Sequence, residues 1–191
     1  MTDGKKKRNL WLSVLGLAIL ICVLLAGFLP EGIFYGNERA PRAHCMGNLK
    51  QLGLAIAMYA DMYQNRCPMD SANPTLMGSM KLLSNFCSSA KVLYCPEDAR
   101  WGAKPEVHWD KLTVNNISYS YVPNLVWQDS PDSIVALDRI YSTSAGSAWP
   151  KRGNHKGKGG NVLFNDGSVK WLTNLPSALK DKDGRKVVLS P

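Results

Sequence analysis

The stretch "HKGKGGNVLFNDGSVKWL", residues 155–172, decides the fold. It begins like a glycine- and lysine-rich phosphate loop. A Walker-type loop, however, needs its Gly-Lys pair followed by Ser or Thr and opens a helix. Here Gly157-Lys158 is followed by Gly159, and "NVLF" (161–164) and "VKWL" (169–172) then flank Asn165-Asp166-Gly167-Ser168. Asp-Gly at the two central positions suits a type I′ turn, so the segment is predicted to be a β-hairpin. Two-residue pairing would set Phe164 opposite Val169 and Val162 opposite Trp171, all on one apolar face, with Lys170 pointing the other way.

Strand signals precede the hairpin. In "ISYSYV" (117–122) Ile117, Tyr119 and Tyr121 alternate with serines, the period of a half-buried strand. "KVLYC" (91–95), "SIVAL" (133–137) and, more weakly, "KVVLS" (186–190) are further candidates. Upstream the period changes. Cys45, Leu49, Leu52, Ile56, Tyr59 and Tyr63 fall on one stripe of a helix, which Pro68 is expected to close. A shorter helix is expected from Pro74 to about Phe86, with Asn73 as N-cap, Pro74 in the first position, and Leu76, Met80 and Leu83 buried. Helices first and strands afterwards predict an α+β domain, with an antiparallel sheet packed on the stripe of the 43–65 helix.

The N-terminus is set apart. Lys5, Lys6, Lys7 and Arg8 precede an uncharged run from Leu10 to Leu29. Twenty residues rise about 30 Å, the thickness of a bilayer core, so this run is expected to be a transmembrane helix. Basic residues beside a span stay on the cytoplasmic side. The expected layout is a cytoplasmic tail at 1–9, a span at 10–29, a hinge-like linker at 30–42 and an extracytoplasmic domain at 43–191, anchored once in the inner membrane. The net charge of +8 falls to +5 once Asp3 and residues 5–8 are set aside. That excess gives no reason to expect a nucleic-acid partner.

Outside the expected span lie Cys45, Cys67, Cys87 and Cys95, candidates for disulfides in an oxidising compartment. Four cysteines allow three pairings. Cys45 with Cys67 is the poorest of the possible bonds, because the helix between them would hold them about 33 Å apart. With no Cys-x-x-Cys and no paired-His spacing, no zinc site is expected.

The segments "CMGNLKQLGLAIAMYADMYQNRCP" (45–68), "LYCPED" (93–98), "SYSYVPN" (118–124), "ALDR" (136–139) and "GNHKGKGGNVLFNDGSVKW" (153–171) occur in that order. Together they resemble the pseudopilin-like, prepilin-type proteins of Planctomycetes and Verrucomicrobia that carry a C-terminal His, nine residues, Asp-Gly motif. The resemblance covers about residues 43–172. It implies an architecture similar to the major pseudopilin of type II secretion and to type IV pilins: an N-terminal helix packed on a small antiparallel sheet. His155, Asp166 and Gly167 take the motif positions, although ten residues separate His155 from Asp166. The prepilin cleavage signal is absent, since Lys5 follows Gly4 and no acidic residue lies between Arg8 and Pro30.

The resemblance implies a structural or assembly role linked to secretion or pilus-like machinery, with no catalysis and no cofactor. A different reading is a membrane-tethered module for glycan or anionic ligand. It would use Lys156 and Lys158 of the basic loop, with Trp101 and Trp109 as stacking platforms. An enzyme centred on His155 ranks last, because no activated nucleophile can be paired with it. A metal set of His155, Asp138 and Asp166 is conceivable, but a turn aspartate and a hydrogen-bonding loop histidine explain these residues more simply.

Overall fold

The computed structural model describes residues 3–27, 32–72, 74–98, 102–140, 148–176, 179–185 and 188–191, with side chains at 11–24 and from 39 onward. The chain divides into two compact units, Met1–Arg39 and Ala40–Pro191. It is an α+β protein. Helices α1 (Asp3–Gly27), α2 (Gly32–Met62) and α3 (Leu76–Lys81) come first. Strands β1 (Tyr119–Tyr121), β2 (Ile134–Asp138), β3 (Gly160–Phe164) and β4 (Val169–Leu172) follow and form one sheet in the order β1-β2-β3-β4. Every neighbouring pair is antiparallel.

The N-terminal expectation is corrected. Among the described residues, no helix is long and apolar enough to cross a membrane. Helix α1 takes in the four basic residues Lys5–Arg8 in its first turns. The single-pass inner-membrane anchor and the extracytoplasmic placement derived from it are therefore not supported. Nor are residues 32–42 an irregular linker. Helix α2 begins at Gly32 and carries Pro41 inside it, with one backbone N–H fewer than a regular helix.

From residue 40 on, α2 follows its apolar stripe. Cys45, Leu49, Leu52, Ile56 and Tyr59 are buried, whereas Tyr63, at 50% exposure, lies beyond the helix and stacks on Tyr59. The helix stops at Met62, before Pro68, because Gln64 and Asn65 both enter the left-handed region (φ 57° and 59°). Helix α3 is capped by Thr75, whose side chain accepts the Gly78 N–H at 3.0 Å. Pro74 thus precedes the cap, and the expected cap Asn73 lies outside the described residues. Leu76, Met80 and Leu83 are buried as their spacing predicts. "KVLYC" is not a strand: residues Ala90–Leu93 form a 3-10 turn capped by the Ser89 side chain. Residues 186 and 187 of "KVVLS" lie outside the described residues. Leu189 pairs with the β1 edge, exchanging both backbone hydrogen bonds with Tyr121.

The hairpin forms, but not with the expected register. Gly167 N–H donates to Phe164 C=O at 2.9 Å, and Phe164 N–H donates to Ser168 C=O at 2.9 Å. Gly167 is left-handed (φ 81°), while neither Asn165 nor Asp166 has positive φ. This is a three-residue loop, a type I turn closed by a glycine bulge, and it adds one residue to the expected connection. The slip flips every partner. Leu163 faces Val169, Asn161 faces Trp171 and Val162 faces Lys170. Lys170 consequently lies over the Phe164 ring, 4.9 Å from its centroid, instead of on the opposite face.

With that register, Tyr119, Tyr121, Ala136, Asp138, Asn161, Leu163 and Trp171 share one sheet face. Helix α2 packs against it: a Cβ on Gly53 would sit 2.9 Å from Leu163 Cδ1. On the other face Gly160 lies flat against Trp149, where a Cβ would come within 2.3 Å of the indole ring. Gly160→Ala is expected to cost about 1–3 kcal/mol by forcing that buried ring aside. A urea midpoint unchanged from wild type would contradict this contact.

Candidate functional site

All five segments that carry the resemblance converge at one end of the sheet. Asn154–Gly157 form a single tight turn in which His155 (φ 60°) and Lys156 (φ 54°) are both left-handed. Two adjacent non-glycine residues in that region are strained, and the surrounding contacts must hold them there. The turn buries His155 to 3% exposure. Its Nδ1 lies 2.8 Å from Glu97 Oε2 and its Nε2 lies 3.1 Å from Asp138 Oδ2. The ring meets Trp171 edge-on at 5.1 Å, and the Arg42 guanidinium sits 3.7 Å from the Trp171 ring centroid.

Asp138 ends β2 and is fully buried. Its Oδ2 accepts the Asn161 backbone N–H at 2.6 Å and Asn161 Nδ2 at 3.2 Å. Oδ1 accepts Asn154 Nδ2 at 2.7 Å, and that nitrogen also donates to Ser118 C=O at 2.8 Å. The neighbouring Arg139, equally buried, donates to Asp98 Oδ1 and to Arg152 C=O, both at 2.9 Å. Cys95 completes the cluster through a disulfide to Cys45 of α2, with Cα atoms 5.2 Å apart. The short segment "CPED" is thereby tied three ways: by Cys95 to α2, by Glu97 to the His155 turn and by Asp98 to the end of β2.

This geometry favours charge on the imidazole. Burial works against the proton, but the hydrogen bond and charge of Asp138, with those of Glu97, outweigh it and raise the His155 pKa above the usual histidine value. Both ring nitrogens then act as donors, which suits a clamp between two carboxylates better than a general base. Because the folded value is raised, His155 contributes stability fully below the unfolded pKa of about 6.5, and that contribution disappears as pH rises through the folded value. The urea midpoint is expected to fall between pH 6 and 9 in wild type and to lose this component in His155→Gln. A variant with an unaltered pH profile would refute the clamp.

Not all of the expected site residues meet here. Asp166 and Gly167 occupy the hairpin tip, where Asp166 is exposed and accepts the Ser168 N–H at 2.7 Å. Hydrogen bonds from Ser168 hold its carboxyl below the usual range. The metal set of His155, Asp138 and Asp166 is therefore not assembled; only the first two touch. Lys156 and Lys158 are exposed. Trp109 is half-buried and its indole N–H donates to Cys87 C=O at 2.8 Å, while Trp101 lies outside the described residues. Cys67 and Cys87 are free thiols, and burial pushes that of Cys67 up to about 12. Glu97, Asn154 and Asn161 were not singled out by sequence reasoning, although all three stand inside the segments of the resemblance. No protein-family model, curated protein or solved structure matches the chain.

Proposed function

We propose that this chain is a structural subunit, pseudopilin-like in architecture, that acts by assembly and not by catalysis. The observation that carries the reading is a second apolar stripe on α2. Leu54, Met58 and Met62, at 64%, 46% and 71% exposure, follow one another at intervals of one helical turn, on the side away from the core stripe. Isolated exposed apolar residues are ordinary, but three in a row on one rigid helix form a contact surface.

The stripe suits a second copy of the same chain. Exposed Lys50 and Gln51 stand at one end of it, and exposed Asp61 at the other. An antiparallel pairing about a two-fold axis near Ile56 would set Leu54 against Met58 of the other copy and Lys50 beside Asp61. The buried cluster supports the same reading from another direction, since its imidazole and carboxylates are spent on one another. Association with secretion or pilus-like machinery is the wider setting that the resemblance implies. Among the described residues nothing of similar weight favours a glycan-binding module, as the Trp109 indole N–H is already engaged.

The test is self-association of the full chain in a mild detergent, followed by sedimentation. Lys50→Asp and Asp61→Lys are each expected to weaken association about tenfold, and the double variant to restore it. All variants share α1, so association driven by that helix would be insensitive to both changes and would overturn the proposal.

A further inference from the structure

The Cys45–Cys95 bond and His155 belong to one buried structural cluster, yet their arrangement also has the geometry of a metal site. One ligand atom from each of Cys45, Cys95 and His155 lies within 4.8 Å of the other two, and all three residues are buried. His155 Nε2 is 3.9 Å from Cys95 Sγ. The far nitrogen, Nδ1, is held by Glu97 at 2.8 Å, the outer contact that orients metal-bound imidazoles and raises their basicity. Two thiolates on a tetrahedral zinc, each about 2.3 Å from it, stand about 3.8 Å apart. Side-chain rotation at two Cα atoms 5.2 Å apart can reach that separation.

We infer that reduction of the Cys45–Cys95 disulfide converts this cluster into a zinc site, with Cys45, Cys95 and His155 Nε2 as ligands. The fourth position falls to water or to Asp138, whose Oδ2 is 3.1 Å from Nε2. The steps balance. A dithiol reductant delivers two electrons and two protons to the sulfur–sulfur bond, giving two thiols, and is itself oxidised to a disulfide. Zinc then displaces one proton from each thiol and the proton on Nε2, all three passing to solvent. The same buried position is thus crosslinked in one redox state and metal-bridged in the other, and α2 stays tied to "CPED" in both. Zinc binding in turn withholds the two thiolates from reoxidation.

Cobalt(II) reports the site by absorption, since thiolate ligation gives charge-transfer bands and tetrahedral geometry gives intense visible bands. The full chain, reduced with a phosphine and kept anaerobic, is expected to bind one equivalent of cobalt with both signatures and a native circular-dichroism spectrum. Zinc should displace the cobalt, and the oxidised protein should show neither band. Cys67→Ser with Cys87→Ser should leave the bands intact, and Cys45→Ser with Cys95→Ser should abolish them. Glu97→Gln should lower zinc affinity about 10–100-fold. The inference is overturned if the reduced chain binds no cobalt, if it binds cobalt only when its circular dichroism shows an unfolded chain, or if the bands depend on Cys67 or Cys87.

Discussion

Replacing Cys45 and Cys95 together by serine is expected to destabilise the metal-free protein by about 4 kcal/mol. The bond closes a loop with a sequence separation of 50, and the chain-entropy relation for a loop of that length gives about 4 kcal/mol near room temperature. Both positions are fully buried, so two unpartnered hydroxyls would add to the loss. Equilibrium urea unfolding measures it, with Cys87→Ser as the control, because Cys87 is a half-buried free thiol. A loss below about 1 kcal/mol would mean that residues 46–94 are held in place without the crosslink.

Asp138→Ala should have a comparable effect, about 3–5 kcal/mol, because removing one partner of a buried ion pair strands the other. Here the loss is compounded. The Asn161 backbone N–H and the Asn154 side-chain amide both donate to Asp138 inside the core, and His155 loses one of its two carboxylates. Asp138→Asn keeps the shape but not the charge, so it separates packing from electrostatics. The asparagine should recover part of the loss at pH 9, where His155 carries less charge, and little of it at pH 5. Equal losses for both variants at both pH values would show that the carboxylate acts only as a space-filler.

How much of this was legible in advance depended on distance along the chain. The stripe from Cys45 to Tyr59 was readable because helical periodicity is local, and the core face of α2 follows it. The hairpin was readable too, but its register was not. The choice between a two-residue and a three-residue loop turns on whether Gly167 is the last residue of the turn or the bulge after it, and Asn-Asp-Gly permits both. "KVLYC" has strand composition, yet the Ser89 cap and the proline after Cys95 leave room only for a short 3-10 turn. The cluster itself was out of reach. His155 and Glu97 are 58 residues apart, Cys45 and Cys95 are 50 apart, and no periodicity links them. What the sequence did hold was the set of segments that meet there, without the contacts between them.

The position of the disulfide also bears on how the Ala40–Pro191 unit would carry mechanical load. A pull applied through residues 1–39 and the C-terminus enters this unit just ahead of Cys45 and crosses the sulfur–sulfur bridge directly to Cys95. Residues 46–94 then lie off the line of tension, and stretching the oxidised chain would release about 170 Å less contour length than stretching the reduced one.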